Sequence, residues 1–188
     1  ESRMGEYDKA LGDLQRAIEL RPGDNGLYFS RGITFFMARK FDDAVSDFDR
    51  YIRKVPKAPA ALLNRGACLL FTGDTTKAYE DYNKAIRLDP ADPEGYMRRG
   101  RLYASQGITD KAAADFDMVI QLDPKNTFAY FNRAILRYGE SDYIGAEADF
   151  NKVLEFEPGN ALTLYNRSLL YAQVGEFDKA LDDMVAHV

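Results

Sequence analysis

The sequence is poor in the residues from which compact chemical sites are built. It has one cysteine, Cys68, and one histidine, His187. A single thiol cannot form an internal disulfide, and one Cys with one His cannot furnish a metal centre of several such ligands. Long apolar runs are missing: the stretch Gly32–Ala38 is followed at once by Arg39 and Lys40, far short of the ~18 residues a membrane span needs. Positive charge is not in excess. With 25 Lys and Arg against 30 Asp and Glu the formal charge is −5, which argues against a general nucleic-acid binder. Apolar–polar alternation of period two is absent, so no strand is predicted. There is no Gly-x-x-x-x-Gly-Lys phosphate loop, no Gly-x-Gly-x-x-Gly, no Gly-x-Ser-x-Gly and no His-Glu-x-x-His.

What the chain does have is a period. Its 188 residues are 46% hydrophobic and 29% charged, values of a folded soluble chain rather than a disordered one. Pro22, Pro56, Pro90, Pro124 and Pro158 stand 34 residues apart. So do Ala10, Ala44, Ala78, Ala112, Ala146 and Ala180, and so do Leu14, Phe48, Tyr82, Phe116, Phe150 and Met184. Numbering each repeat from 1 to 34 places these series at positions 32, 20 and 24. Full repeats then cover 25–58, 59–92, 93–126 and 127–160, with partial repeats at 1–24 and 161–188.

Each repeat reads as two helices. Residues 59–72 carry apolar side chains at helical spacing until Gly73, and a Gly just past a helix end is the usual stop because it accepts positive φ. Gly5, Gly107 and Gly175 share that position, 15. A second helix starts near position 17 and ends before the proline at 32. Pro59 and Pro93 fall at position 1, where a helix start tolerates proline. Small residues at position 8 (Gly32, Gly66, Gly100, Ala134, Ser168) and Ala at position 20 let two helices approach closely beside the large residue at 24. One such pair cannot bury its own apolar face, so neighbours must stack.

The pattern Leu62-x-x-x-Gly66-x-x-Leu69, Ala78-x-x-x-Tyr82-x-x-Ala85, Pro90 resembles the tetratricopeptide repeat (TPR), and it does so along the whole chain. Departures are local: Arg137 stands at position 11 where an apolar residue is expected, and Tyr51 and His187 stand at position 27 in place of a small one. The resemblance implies an all-α, right-handed α-solenoid of antiparallel helix pairs, a superhelix with a concave inner surface. It implies a non-catalytic scaffold for peptides or protein surfaces, without cofactor or metal. A self-assembly module and a regulatory domain of a larger enzyme are the alternative functions.

Reactive residues support the non-catalytic reading. Cys68 and His187 lie more than three repeats apart and cannot form a dyad within one array. The acidic stretch Asp89–Glu94 fills a turn between repeats and lacks the glycine of a calcium loop. Asn166-Arg-Ser168 matches a glycosylation acceptor but sits inside a predicted helix.

Two polar series stand out. Position 7 is Arg31, Arg65, Arg99, Arg133 and Arg167; position 23 is Asp13, Asp47, Asp81, Asp115, Asp149 and Asp183. Positions 7 and 23 are centred on the turn at 15, and 23 with the next 7 on the turn at 32. The expectation is an alternating ladder, Asp13–Arg31–Asp47–Arg65 and onward, each Arg between two Asp.

The resemblance also assigns an inner face, positions 2, 5, 6, 9, 12 and 13 of each first helix. The candidate binding residues on it are Phe29, Leu63, Asn64, Arg98, Arg101, Phe131, Asn132, Tyr138, Tyr165 and Asn166. An amide side chain offers both donor and acceptor to an extended peptide backbone. Arg3, Arg98 and Arg101 against Glu94 make this face locally basic, so a partner carrying an acidic group is expected. The carboxylate clamp of chaperone-binding relatives is not reproduced, because position 5 has no Lys or Arg and position 9 no Asn. A first residue that is not Met and incomplete terminal repeats lead to the expectation of a segment of a longer protein, with end-to-end self-association through open ends. Both a cytoplasmic and a periplasmic home fit a single Cys.

Overall fold

The computed structural model describes residues 2–186, with side chains from residue 5 onward. His187 and the side chain of Arg3 lie outside the described residues. The helices, in order, are α1 (Ser2–Leu20), α2 (Asn25–Met37), α3 (Phe41–Lys54), α4 (Pro59–Phe71), α5 (Thr75–Leu88), α6 (Pro93–Ser105), α7 (Thr109–Leu122), α8 (Thr127–Gly139), α9 (Tyr143–Phe156), α10 (Ala161–Gln173) and α11 (Phe177–Ala186). Among the described residues there is no strand. From α2 to α10 the helices alternate between first helices of 13 residues and second helices of 14.

The ends of these helices follow from local chemistry. Position 34 caps the first helices: Asp24 accepts from Gly26 N, Asn126 from Ala129 N and Asn160 from Thr163 N. Where Ala58 offers no such group, Pro59 sets the first helical φ instead. First helices stop in the left-handed region, at Gly73 (φ +88°), Gly107 (+71°) and Gly175 (+82°). Arg39 (φ 60°) and Ser141 (φ 64°) adopt it too, at the same position and without the freedom of glycine.

One expected stop does not form: α1 runs straight through Gly5. At the other turns the chain is tied back by a bond such as Asp74 N to Leu69 O, five residues earlier.

The chain forms two compact units, Glu1–Gly95 and Tyr96–Val188. In the first, each helix from α1 to α5 packs on the next. Gly32 and Gly66 admit the rings of Phe48 and Tyr82; a Cβ would sit 2.9 Å and 2.6 Å from them. The second unit repeats the device with Gly100 against Phe116, and its core continues through Ala134, Ala146, Phe150, Leu170 and Tyr171. Phe48, Tyr82, Phe116 and Phe150 are almost completely buried. Both units are therefore all-α stacks of antiparallel helix pairs.

The polar series pair as expected within each repeat and differently between repeats. Arg65 Nε and Nη2 donate to both oxygens of Asp81 at 2.8 and 2.5 Å, and Arg31–Asp47, Arg99–Asp115, Arg133–Asp149 and Arg167–Asp183 repeat this fork. The remaining Nη1 does not go to the preceding Asp at position 23. It goes to position 25: Arg31 to Gln15, Arg65 to Asp49 at 2.6 Å, Arg133 to Asp117 and Arg167 to Asn151. Asp13 is exposed.

The departures from the repeat pattern also find partners. Arg137 Nη1 donates to Asp149 at 2.9 Å, giving that carboxylate a second guanidinium, and to the Gly145 carbonyl. The ring of Tyr51 lies 5.0 Å from that of Phe29.

Candidate functional site

On a helix, positions 2, 5, 6 and 9 fall on one stripe. In the Tyr96–Val188 unit this stripe is apolar and open on two successive first helices. Buried Ala129 and Ala134 on α8, and Thr163, Leu164, Ser168 and Leu170 on α10, anchor the opposite faces of these helices. That leaves Phe128 and Ile135 on α8, and Leu162, Tyr165 and Leu169 on α10, facing solvent; Phe128 is 73% exposed, Leu162 59% and Tyr165 49%. Phe128, the most exposed of them, gives up most of the ~1.5–3 kcal/mol that full burial would yield.

The candidates from the sequence divide between this surface and the core. Tyr165 is on it. Phe131 is half-buried, its ring 6.0 Å from Phe150, so it supports the surface from beneath. Asn132 and Asn166 donate to the carbonyls of Phe128 and Leu162 at 2.6 and 2.7 Å, each using one amide N–H and keeping Oδ1 for an incoming donor. Tyr138 is half-buried against Tyr143. Arg101 is exposed and Arg98 half-buried, both on α6.

In the Glu1–Gly95 unit the same positions offer one exposed large apolar side chain, Ile33 at 39%, beside the exposed but small Gly26, Ser30 and Ala60. Leu63 is buried at 4% exposure, Asn64 is half-buried, and Phe29 packs on Phe48 and Tyr51. A cavity of about 340 Å³ lies at the turn after α2, walled by Phe41 and Phe71, whose rings stack at 4.3 Å. Arg39 and Lys40 line it together with Asp42 and Asp43, so it presents no net charge.

Sequence reasoning left out Phe128, Ile135, Leu162 and Leu169. The signal was present: position 2 reads Gly26, Ala60, Glu94, Phe128, Leu162, and position 9 reads Ile33, Ala67, Arg101, Ile135, Leu169. Large apolar residues appear at both positions together only in the last two first helices.

Electrostatics here are those of a framework. Hydrogen bonds donated to the Asp carboxylates raise the pKa of Arg31, Arg65, Arg99, Arg133 and Arg167, opposed by burial. Burial, and a 2.8 Å hydrogen bond to Glu147, push the Tyr171 phenol up to about 12. The other reactive groups are similarly engaged. Cys68 is buried. The Asp89 and Asp92 carboxylates accept from Ala91 N and Glu94 N. Ser168 is buried and donates to the Tyr165 carbonyl. Among the described residues no group of three or more His, Cys, Asp or Glu could hold a metal ion, and no helix is long and apolar enough to cross a membrane.

Stacked helix pairs of 34-residue period, closed by small residues at 8 and 20, define a helical repeat protein. The tetratricopeptide repeat model matches residues 1–59, 33–93 and 70–127, more than half of the chain, and the chain belongs to that family. Members are in general non-catalytic scaffolds that bind protein or peptide partners. Solved structures share the fold. A TPR protein from Cytophaga hutchinsonii (C-terminal part) aligns with TM-score 0.82 at 20% identity, over 96% of this chain and 75% of that one. MamA from Desulfovibrio magneticus, from residue 41 to its end, aligns at 0.78 and 16%, over 87% and 93%. YrrB, described as a TPR protein with an unusual peptide-binding site, aligns at 0.71 and 20%, over 93% and 90%. No curated protein matches the chain at a significant level.

Proposed function

We propose that this protein is a non-catalytic scaffold that holds a peptide or an extended partner segment on the open faces of α8 and α10. The observation that carries this reading is the exposed cluster Phe128, Leu162 and Tyr165, with Phe128 and Leu162 at the same repeat position on successive first helices and Tyr165 one turn further along α10. Exposed apolar surface in register on rigid elements is what a binding surface requires, and large rings contribute most of the energy in such contacts. Asn132 and Asn166 beside it can pair with a peptide backbone whatever its side chains. Arg98 and Arg101, at positions 6 and 9 of α6, favour an acidic group on the partner. The peptide-binding description of the YrrB structure supports the same kind of occupant. Leu63, being buried, serves packing rather than contact.

Selection from a library of short random peptides tests the proposal. Enriched sequences are expected to combine apolar residues with at least one acidic residue. Replacing Phe128, Leu162 and Tyr165 by Ala should weaken their binding about tenfold or more at any salt concentration. Arg98→Ala with Arg101→Ala should weaken it mainly at low salt and flatten its salt dependence. Selected peptides that bind all these variants as tightly as the parent protein would place the site elsewhere.

A further inference from the structure

The cavity of about 340 Å³ at the turn after α2 lies between two complete repeats, 25–58 and 59–92. Phe41, the first residue of α3, stacks on Phe71, the last residue of α4, with ring centres 4.3 Å apart and planes 7° apart. Phe36 meets both rings at a steep angle, 5.7 and 6.0 Å away. The fold does not require this cluster. The other pairs at the positions of Phe41 and Phe71 are Thr75 with Ser105, Thr109 with Gly139 and Tyr143 with Gln173. Phe71 is nonetheless 58% exposed, on the wall of a cavity. Arg39 adds a second irregularity at the same place. It holds φ 60° where Gly73, Gly107 and Gly175 stand in other repeats, and its guanidinium lies over the Phe41 ring, 5.7 Å from the centre. Backbone strain and unburied aromatic surface thus coincide, as they do where a fold gives up stability to a site.

We propose that this cavity receives one neutral aromatic side chain with a hydrogen-bonding edge, tryptophan or tyrosine, from a segment of a partner protein. Size sets the first limit: about 340 Å³ is at the small end of ligand pockets and holds a single ring system rather than a run of residues. The walls set the second. An incoming ring gains on Phe71 the kind of contact that Phe36 and Phe41 already make, beyond the area it buries. Charge sets the third. Arg39 and Lys40 stand against Asp42 and Asp43 around the same space, so an occupant charged with either sign is attracted by one pair and repelled by the other. An indole N–H or a phenol O–H donates to the exposed Asp42 or Asp43 carboxylate without bringing a charge in. The cavity shares no residue with the peptide surface of α8 and α10, so the two proposals are independent.

The chain has no tryptophan, so indole fluorescence reports on an added probe alone. The probe is a tripeptide, glycine–tryptophan–glycine blocked at both ends. It is titrated with the full chain in which Phe128, Leu162 and Tyr165 are replaced by Ala, which removes the other apolar surface. Its emission should shift to the blue and saturate. The matching tyrosine tripeptide should displace it, and those with leucine, lysine or glutamate should do so about tenfold less effectively. Phe71→Ser, the residue found at the same position of α6, should weaken the probe about tenfold, and Phe71→Leu, which keeps the apolar bulk, severalfold. Asp42→Asn with Asp43→Asn should let the glutamate tripeptide compete as well as the tyrosine one. A titration that does not saturate, displacement by leucine as effective as by tyrosine, or unchanged affinity in both Phe71 variants would overturn the proposal.

Discussion

A guanidinium has more donors than one carboxylate can accept, and the repeated Arg of this protein uses the surplus. The fork onto the Asp of its own repeat takes Nε and Nη2, and Nη1 is left to reach back to the preceding second helix. The Asp of the fork is buried, while the reached-back partner is open: the side chains of Asp81 and Asp49 are 5% and 41% exposed. Their energies should differ accordingly. Double-mutant cycles by denaturant unfolding should give a coupling of about 2–3 kcal/mol for Arg65 with Asp81, about 1 kcal/mol or less with Asp49, and none with Asp47. A coupling to Asp47 as large as that to Asp81 would restore the ladder expected from the sequence. That ladder was half legible. Equal distance from a turn finds the partner within a tight antiparallel pair. Between repeats the contact falls at position 25 rather than 23, about 3 Å along the axis at 1.5 Å per residue.

At the scale of single elements, the first-helix stop is the most exacting local feature. Arg39 and Ser141 hold left-handed φ that costs a non-glycine residue about 1 kcal/mol or more. Ser141→Gly should therefore raise stability by about 0.5–1 kcal/mol after the extra freedom glycine brings to the unfolded chain. The check is the urea midpoint at unchanged slope; a lower midpoint would show that the Ser141 side chain is needed. The turn register was readable from Gly73, Gly107 and Gly175 and misread at Gly5, through which α1 continues.

The α9–α10 contact predicts a pH dependence. The Tyr171 phenol has a folded pKa of about 12 against an ordinary value of about 10, so its contribution is fully present below pH 10 and is lost as pH rises through 12. Stability of the parent protein should fall over that window more steeply than that of Tyr171→Phe, followed by chemical denaturation. Parallel declines would remove the phenol from the account.

At the scale of the whole molecule, six copies of one packing rule build the protein and local exceptions give it surfaces. Position 24 is a buried ring in four repeats and an exposed methionine in α11. Position 2 is small or charged in three first helices and large and apolar in α8 and α10. The fold was legible because period, glycine and proline all mark the same boundaries. The surface was less legible because Leu63, Phe131 and Tyr165 share one repeat position yet differ in burial, which depends on the particular neighbours each meets. The central claim is that α8 and α10 hold a partner segment side by side on their open faces. Its most direct test is site-specific photocrosslinking with a selected peptide, using a photoreactive phenylalanine analogue in place of Leu162 on α10 or of Lys152, exposed on α9. The account predicts a covalent adduct from the position of Leu162 and none from that of Lys152. An adduct from Lys152 alone would contradict it.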